Sequence, residues 1–483
     1  MTVYILLFLP LAAAAVSGLM PRGRERAIEY IALAVSAAEF ALAILIGGEV
    51  LAEGRVNAPL FETDALGSFV ILFATFIGLA AAIHSVGHLR EEARKEIIGF
   101  RRIRQYFVLF HLFFLAMFLA AATSIPLITW VAIEATTLAT AFLISFYNKP
   151  SAIEAGWKQL IINSVGLLLG FLGTLLFLNA AAGAGVTEAL ISWDTLYAVR
   201  ASLNPLLVTI AFIFVVVGYG TKVGFVPMHT WLPDAHSKAP APISSLLSGV
   251  LLNVALVAIL RFRFITDAVV DPSFSQDLLI GFGIVSIVLA ALIIFAQKNY
   301  KRMLAYSSIE NMGVIALGAG IGGAGMIAAL FHMLYHALLK SILFFSAGNL
   351  FLKYGSTKMA RVRGAITIVP VSAVVFFAAL LAVAGTPPSG IFFTKLTTLA
   401  LGVEQFPYVI LVAVIALGIV FAGFVKHATT LVFGKPPEGT EPGEANNWTL
   451  VSLLLLSSAF VILSLWMPPQ LRELIYGAAS IIQ

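Results

Sequence analysis

Long apolar stretches recur along almost the whole chain, and short polar or charged connections separate them. A helix needs about 20 apolar residues to cross the hydrocarbon core of a bilayer, and most of these stretches reach that length. The pattern predicts an all-α polytopic membrane protein with about 14 transmembrane helices. The predicted segments cover residues 3–20, 27–48, 65–87, 105–122, 125–147, 159–182, 205–226, 241–264, 278–297, 302–320, 325–352, 365–402, 407–433 and 448–467.

The amino-acid composition excludes a soluble globular protein. Of the 483 residues, 60% are hydrophobic and 11% are charged, whereas soluble domains are about 45–50% apolar and about 25% charged. Cysteine is absent, which removes disulfides, thiolate metal sites and iron–sulfur clusters from this chain. The sequence also contains no metal-ligand cluster, phosphate loop or nucleic-acid-binding patch, so we expect no bound metal, no cofactor and no nucleic-acid partner.

The distribution of positive charge predicts the orientation in the membrane. Most of the 29 Lys and Arg residues fall in the connections that follow odd-numbered segments, which places those connections in the cytoplasm and both termini outside the plasma membrane. His84 and His88 lie near the basic end of the third segment and are predicted to be interfacial. The opposite face carries only Arg55, Arg200, Arg261, Arg263 and Arg472.

Two apolar segments are interrupted by proline close to a lysine. Pro227 follows Lys222 in KVGFVPMHTWLPDAH, and Pro388 precedes Lys395 in AGTPPSGIFFTK. Proline frees a backbone carbonyl, which is tolerated at membrane depth only where protein or water satisfies it. Paired interrupted helices are typical of the ion site of a transporter that is built from inverted repeats.

Three ionisable side chains recur every four residues in FHMLYHALLKSILFF, namely His332, His336 and Lys340. This spacing places them in one stripe of a helix, over about 12 Å along its axis. Imidazole titrates near neutrality and can accept a proton at one nitrogen while it releases another from the second. We expect a proton relay here. Histidines that only hydrogen-bond between packed helices are the alternative.

Glu134 and Lys222 are a second candidate group, because both are ionisable side chains inside apolar segments. Charged groups at membrane depth are costly and usually face a partner or a water-filled path. We expect an ion pair that opens and closes as a proton moves, and a static salt bridge is the alternative. Lys395 is expected to lead from the second break towards the outer face rather than extend to the membrane surface.

Four further residues are secondary candidates for the path. Glu310 is expected to be a buried acid, with a position near the interface or in a structural pair as the alternative. His229, Asp234 and His236 belong to the connection after the seventh segment. They either admit protons there or cap the loop.

Four runs of the sequence, taken in order, resemble one family of membrane proteins. They are KVGFVPMHTWLPDAHSKAPAPISSLLSGVLLN, KRMLAYSSIENMG, HMLYHALLK and GTPPSGIFFTK. Over roughly residues 60–435 the chain is similar to the antiporter-like subunits of respiratory complex I, membrane-bound hydrogenases and multisubunit cation/proton antiporters. The resemblance implies a fourteen-helix core, two inverted five-helix repeats with broken helices 7 and 12, and a chain of buried charges in the middle of the membrane.

The resemblance also implies roles for individual residues. It assigns ion translocation to Glu134, Lys222, His332, His336, Lys340 and Lys395. Where many members carry a lysine in the eighth helix, this chain has Asn253. An asparagine amide can order water but does not hold a transferable proton, so the path implied for this chain crosses a hydrated gap or is altered at Asn253.

The same resemblance divides the chain into four parts. Residues 1–104 form helices 1–3, residues 105–264 form the first repeat with helices 4–8, and residues 278–433 form the second repeat with helices 9–13. Residues 434–483 are expected to form a cytoplasmic loop, helix 14 and a short tail. The long lateral helix of the longest family members is not expected in this chain.

We therefore predict an ion-translocating subunit, for H⁺ or Na⁺, of a redox-driven membrane complex related to complex I or membrane-bound hydrogenase. The electrons would pass through other subunits, because no redox centre is expected in this chain. The expected partners are other integral membrane subunits, a peripheral redox module and the lipid bilayer. The alternatives are a subunit of a multisubunit secondary cation/proton antiporter without electron transfer, and a structural anchor.

Overall fold

The computed structural model describes all 483 residues, and nearly all of its regular structure is helical. One short antiparallel hairpin, β1 (Val56–Ala58) and β2 (Phe61–Thr63), connects the second and third helices. The first ten helices are α1 (Thr2–Leu19), α2 (Glu25–Glu53), α3 (Ala65–Arg94), α4 (Phe100–Ala122), α5 (Pro126–Ile144), α6 (Pro150–Gly183), α7 (Trp193–Val199), α8 (Pro205–Val223), α9 (Trp231–Lys238) and α10 (Ala241–Leu246).

The second half of the chain begins after a π-helical turn, Leu247–Leu251, that joins α10 to the next helix. It contains ten helices: α11 (Leu252–Asp267), α12 (Pro272–Ala296), α13 (Tyr300–Ile321), α14 (Ala324–Tyr354), α15 (Ala365–Ile368), α16 (Pro370–Ala384), α17 (Gly390–Gln405), α18 (Pro407–Phe433), α19 (Asn447–Leu465) and α20 (Pro469–Ile481).

The polytopic helical architecture predicted from the sequence is confirmed. Twelve helical stretches are long and apolar enough to cross a membrane, and α8–α9 and α10–α11 each count as one stretch. α13 is not among them, and it carries Glu310 and Asn311 in its middle. α16 and α17 are each shorter than a full span. The count of fourteen and the two inverted repeats remain predictions.

Both interrupted segments break at a glycine in the left-handed conformation. Gly224, with φ of 88°, directly follows α8, and Gly385, with φ of 99°, directly follows α16. A proline follows each glycine within three residues, at Pro227 and Pro387. A left-handed glycine followed by proline is a common helix ending, because proline cannot continue the hydrogen-bond ladder. The sequence therefore fixes where each break occurs.

Burial distinguishes the central helices from those that face lipid. In their most apolar windows, 100% of the α10–α11 stretch and 89% of α14 are buried, compared with 33% of α18 and 28% of α19. The outer helices thus present apolar side chains to the bilayer. The polar side chains lie on central helices, where other protein groups can satisfy them.

The face with few basic residues is held by ion pairs. Arg261 donates to both carboxylate oxygens of Asp64, at 2.7 and 2.8 Å, and Arg263 lies 3.2 Å from Asp267. Both arginines are buried rather than exposed in a connection. Asp64 also caps α3 by accepting from the Gly67 backbone N–H at 2.8 Å. The ion pair between Asp64 and Arg261 therefore fixes the start of α3 against the last turns of α11.

The C-terminal tail is not only a short extension. It forms α20, which packs on the start of α3: a Cβ added at Gly477 would lie 3.1 Å from the Ala65 Cβ. The apolar pattern of the tail was too short to indicate a membrane span, and its amphipathic helix was therefore not predicted.

Candidate functional site

One group of polar side chains lies between α5, α6 and α8. Lys222 is fully buried and donates from Nζ to Thr137 Oγ1 at 2.8 Å. Thr137 Oγ1 donates to Glu134 Oε2 at 3.1 Å, and Ser164 Oγ donates to Glu134 Oε1 at 2.6 Å. Glu134 and Lys222 therefore make no direct contact in this structure, because the Thr137 hydroxyl lies between the two side chains, and the pair that opens and closes remains a prediction.

Local helix geometry explains this arrangement. Glu134 and Thr137 are three residues apart on α5 and therefore share a face. Lys222 lies in the last turn of α8, two residues before Gly224. An ammonium is favourable there, since the unsatisfied carbonyls give the end of a helix a partial negative charge. The break after α8 thus places the lysine where α5 can contact it.

A second group joins α13, α14 and α17. Lys395 and Glu310 form a buried ion pair, with 2.8 Å between Nζ and Oε1. Lys395 also donates to the Val383 carbonyl at 3.0 Å, one of the carbonyls that the end of α16 leaves free. Glu310 has 0% side-chain exposure, as expected of a buried acid, and it is paired with Lys395. The second break therefore supplies a ligand to the lysine ammonium.

Hydrogen bonds extend this group along α13 and α14. Asn311 Nδ2 donates to Glu310 Oε2 at 2.5 Å, and Asn311 Oδ1 lies 3.0 Å from His332 Nε2. His332 Nδ1 lies 2.8 Å from the hydroxyl of Thr394, the residue before Lys395. The network therefore returns to α17, where it began.

Lys340 joins the same network through α13. It donates to the Leu304 carbonyl at 2.7 Å and to the Ser307 hydroxyl. The Ser307 carbonyl in turn accepts from Asn311 Nδ2 at 2.7 Å. Lys340 is thus connected to the Glu310 carboxylate by groups of α13 rather than along its own helix.

His336 lies between His332 and Lys340 in the α14 stripe but makes no direct hydrogen bond. Its side chain is fully buried, and neither ring nitrogen has a protein partner. Buried polar groups of this kind are commonly satisfied by ordered water. The predicted stripe is present on α14, but direct hydrogen bonds do not join its three members to one another.

Asn253 lies beside this stripe, just after the π-helical turn Leu247–Leu251. Its amide donates to the Gly249 carbonyl at 2.8 Å and contacts the Met333 carbonyl of α14 at 3.5 Å, while Oδ1 has no protein partner. No direct hydrogen bond links Lys222 to the second group. Protein groups alone therefore form no continuous hydrogen-bonded path between the two groups.

The two candidates closest to the first break have different surroundings. Asp234 forms ion pairs with Arg302 at 2.7 Å and with Lys158 at 3.3 Å. These contacts hold α9 against α13 and α6, as expected of a structural residue. His229 is buried, its Nδ1 has no partner, and its ring lies 6.1 Å from that of Tyr306.

Three histidines lie on either side of α14 near the basic end of the molecule. His84 stacks on Phe345 with ring centroids 4.2 Å apart, and His236 stacks on the neighbouring Phe344 at 5.0 Å. His84 and His88 are buried inside the protein rather than exposed at its surface, and their position near the membrane interface remains a prediction. They are buried because α3 continues to Arg94, beyond the end of its apolar segment, and its last turns are covered by α14 and α19.

Five uncharged polar residues complete the networks and were not singled out from the sequence: Thr137, Ser164, Ser307, Asn311 and Thr394. Such residues are common in helices, and composition gives them no prominence. Their spacing from the ionisable groups was the available signal. Thr137 lies three residues after Glu134, while Asn311 and Thr394 are direct neighbours of Glu310 and Lys395.

Comparisons with known proteins identify the sequence relatives. Residues 125–420 match the family described as NADH:quinone oxidoreductase/Mrp antiporter, TM. The hydrogenase-4 component F homolog of Methylacidiphilum infernorum is 36% identical over 417 residues, which cover 86% of this chain and 87% of that protein. The NADH-quinone oxidoreductase subunit N of Desulforudis audaxviator is 30% identical over 419 residues, which cover 83% and 81%.

Solved structures share the fold. A chain of the membrane-bound sulfane sulfur reductase, an archaeal respiratory membrane complex, superposes with a TM-score of 0.87 at 22% identity, covering 99% of this chain and 97% of that one. A chain of the Mrp complex from Dietzia sp. gives 0.83 at 20% identity, with coverages of 99% and 96%. Respiratory complex I from Thermus thermophilus gives 0.77 at 21% identity, with coverages of 96% and 97%. All three are multisubunit membrane complexes.

Proposed function

The chain belongs to the NADH:quinone oxidoreductase/Mrp antiporter transmembrane family, and on that premise we propose that it moves a proton or a sodium ion across the membrane within a redox-driven complex. The complex would be related to complex I or to membrane-bound hydrogenase. The observation that carries the proposal is the buried network in which Lys395, Glu310, Asn311 and His332 contact one another at 2.5–3.0 Å.

The ion pair between Lys395 and Glu310 is the switch of the second group. The two opposite charges attract each other across 2.8 Å in a site that excludes bulk water. A proton that reaches the Glu310 carboxylate neutralises it and releases the Lys395 ammonium towards water beyond the break. His332 contacts Asn311 and Thr394 through its two ring nitrogens, so it can accept a proton on one side and release one on the other.

The first group works through a hydroxyl. The Thr137 oxygen accepts from Lys222 and donates to Glu134, so the charge of either side chain affects how firmly the other is held. Movement of Lys222 away from Thr137 would direct its ammonium towards the α14 stripe. Ordered water near Asn253 and His336 would carry the proton between the two groups, because both side chains have buried atoms without a protein partner.

The energy for transport would come from redox chemistry in other subunits. A peripheral redox module and further integral membrane subunits are the proposed partners, and this chain would bind no cofactor. Glu134 is only half-buried in the isolated chain and lies between the exposed Val131 and Leu138. A neighbouring membrane subunit at this face would complete its burial.

The orientation that we propose follows from the basic connections. The face that carries them lies in the cytoplasm, and both termini lie outside. The arginines of the opposite face support this, because Arg261, Arg263 and Arg55 are each paired with a carboxylate. These pairs leave little unpaired positive charge on the side that we assign to the exterior of the plasma membrane.

The proposal is tested by removing one charge from each group in the assembled complex. We expect Lys222→Met and Lys395→Met to abolish ion translocation in proteoliposomes, because each removes an ammonium on which its group depends. Lys426→Met is the matched control, since Lys426 is an exposed lysine that packs over Phe295 outside both groups. If the two buried variants pump as fast as the control, the chain is a structural anchor and the transport proposal is wrong.

A secondary cation/proton antiporter without electron transfer is the second candidate, because the matched family description includes the Mrp antiporter. Purification of the intact assembly with its native partners separates the two functions. Iron–sulfur or nickel proteins that co-purify support the redox-driven complex. Small membrane subunits alone support the antiporter.

A further inference from the structure

A second stripe of ionisable side chains lies on α3, which the mechanism above does not use. His84, His88 and Glu92 recur every four residues and are 0–1% exposed. They therefore share one face of α3 and extend over about 12 Å along the helix. The stripe begins two residues before the end of α3 at Arg94, which is on the basic face of the molecule.

The Glu92 end of this stripe is connected to the surface by a tyrosine. Tyr147 Oη donates to Glu92 Oε1 at 2.6 Å, and His88 Nε2 lies 3.3 Å from the same oxygen. Tyr147 is half-buried and precedes the exposed Asn148 in the connection between α5 and α6. Glu92 Oε2 has no protein partner although it is buried.

The other end of the stripe points at a glycine of α14. A Cβ added at Gly348 would lie 3.4 Å from His84 Nε2 and 3.9 Å from His88 Nδ1. Neither nitrogen has a protein partner. Two converging polar atoms are the minimum that an ordered water requires. The Ala241 Cβ of α10 lies only 2.5 Å from the same Cβ position, so a water can enter beside the two nitrogens only when α10 moves away from α14.

The His84 end of the stripe packs on α14, the helix that also carries Lys340. His84 stacks on Phe345, while His236 stacks on the adjacent Phe344. Gly348 lies one helical turn after these phenylalanines and therefore on the same side of α14. His236 itself is buried and has two nitrogens without a protein partner.

The groups that face the stripe from the surrounding helices are few. They are Tyr106 of α4, which contacts Ser85 at 2.7 Å, Ser452 of α19, which contacts His84 Nδ1 at 2.9 Å, Tyr147, His236 of α9, and Lys301 of α13, whose Nζ donates to the Ala239 carbonyl at 2.9 Å. No ammonium or guanidinium lies within 4 Å of the Glu92 carboxylate. The carboxylate is therefore not held in a static pair with a lysine or arginine.

We propose that Glu92, His88 and His84 form a proton-uptake relay that carries protons from the basic face towards His236 and Lys340. This inference rests on the proposed function, and it adds a route on α3 to the groups of α5, α8, α13, α14 and α17. The stripe differs from an isolated buried histidine such as His111, because it places three ionisable side chains on one face and brings His88 within 3.3 Å of the Glu92 carboxylate. Here one atom of each of the three side chains stays without a protein partner.

Each step of the relay transfers one proton and no electrons. A hydronium at the basic face protonates the Glu92 carboxylate and leaves water. Glu92 passes the proton to His88 Nε2, and His88 releases its Nδ1 proton to a water that has entered beside Gly348. That water protonates His84 Nε2 or passes a proton onward past α14, and a reverse flip of the imidazole restores the starting state.

The relay is tested by His88→Gln and Glu92→Gln in the assembled complex, with the basic face of the vesicles exposed to the medium. We expect each variant to lower the rate of proton translocation about 10-fold or more, as loss of a positioned acid–base group does. The loss should grow as the pH of the medium rises, because the remaining uptake depends on free hydronium. Glu92→Asp should retain most of the rate.

His111→Gln is the matched control, since His111 is a buried histidine of α4 with two nitrogens that lack a protein partner. It should leave both the rate and its pH profile unchanged. If His88→Gln and Glu92→Gln also leave them unchanged while Lys395→Met abolishes translocation, the relay is wrong and the proposed function stands. If Lys395→Met has no effect either, the proposed function itself fails.

Labelling tests the route without reference to activity. The chain has no cysteine, so His88→Cys introduces its only thiol, which gel separation distinguishes from thiols of other subunits. We expect a small water-soluble thiol reagent to modify His88→Cys from the basic face, and His111→Cys to resist it. Equal resistance of the two thiols would show that the stripe is dry and would overturn the relay.

Discussion

At the scale of single residues, the ionisable groups could be predicted from the sequence and their partners could not. A lysine or glutamate inside an apolar segment is conspicuous, because it is costly there unless it is paired or hydrated. The hydroxyl of Thr137 carries no such signal, yet it separates Glu134 from Lys222. Contacts of this kind depend on how helices pack, and helix packing is not readable from spacing along one chain.

The Thr137 hydroxyl gives a direct prediction. Thr137→Val keeps the shape of the side chain but removes the only group that contacts both charges. Hydrogen bonds to charged groups contribute about 1.5–3 kcal/mol, so we expect ion translocation to fall about 10- to 100-fold. The measurement is the pumping rate of the assembled complex. Thr137→Ser keeps the hydroxyl and should pump within a few-fold of the unaltered chain.

The ion pair between Asp64 and Arg261 gives a stability prediction. Removing one partner of a buried pair typically destabilises the folded state by about 3–5 kcal/mol. Asp64→Asn should therefore lower the thermal midpoint of unfolding in detergent much more than the control variant does. Glu62→Gln is the control, because its partner Arg55 is 47% exposed and exposed pairs contribute about 0–1 kcal/mol. Equal effects of the two variants would contradict the assignment.

The same pair predicts how stability depends on pH. Burial alone would raise the pKa of Asp64, but the charge and hydrogen bonds of Arg261 outweigh burial and hold the pKa below its usual value. The folded pKa is therefore lower than the unfolded value of about 3.9. This carboxylate contributes stability above that pH and loses it as pH falls through the folded pKa. Acid titration of the thermal midpoint should show this loss, and Asp64→Asn should lack it.

At the scale of elements, hydrophobic stretches and proline positions indicated the helices and both breaks. The hairpin of β1 and β2, the buried end of α3 and the helix α20 were missed. Each of these is short or polar, and it is ordered by contacts with distant helices rather than by its own composition. The aromatic ring of Phe345 on α14, for example, covers His84 on α3.

The break after α8 depends on Gly224, and its replacement tests this. A left-handed backbone costs about 1–2 kcal/mol for a residue with a side chain, and an added Cβ would lie 2.7 Å from Leu232 Cδ1. Gly224→Ala should therefore lower the thermal midpoint and also slow translocation, because Lys222 lies two residues away. Gly281→Ala is the control, since no heavy atom lies within 4 Å of its added Cβ. A neutral Gly224→Ala would show that the break does not need glycine.

At the scale of the whole molecule, the orientation in the membrane is the property that the sequence predicts and that labelling tests. Glu438→Cys lies in the loop between α18 and α19, and Thr187→Cys lies in the connection between α6 and α7; both positions are exposed. We expect an impermeant thiol reagent to label Glu438→Cys only in inside-out vesicles and Thr187→Cys only in right-side-out vesicles. The reverse pattern would invert the proposed orientation.

The two groups of the buried path differ in how strongly each holds its lysine. Lys395 is clamped directly to the Glu310 carboxylate, 2.8 Å away, whereas Lys222 rests on a neutral oxygen. Loss of the hydrogen bond to the hydroxyl costs about 1–3 kcal/mol, while a buried charge that loses its ionic partner costs about 3–5 kcal/mol. Thermal motion alone would often release Lys222 from Thr137. Lys395 would be released only after a proton neutralises the Glu310 carboxylate. The group that holds Lys222 would therefore open quickly, while the group that holds Lys395 would open slowly and only after Glu310 is neutralised, so the Lys395–Glu310 pair would limit the rate of transport.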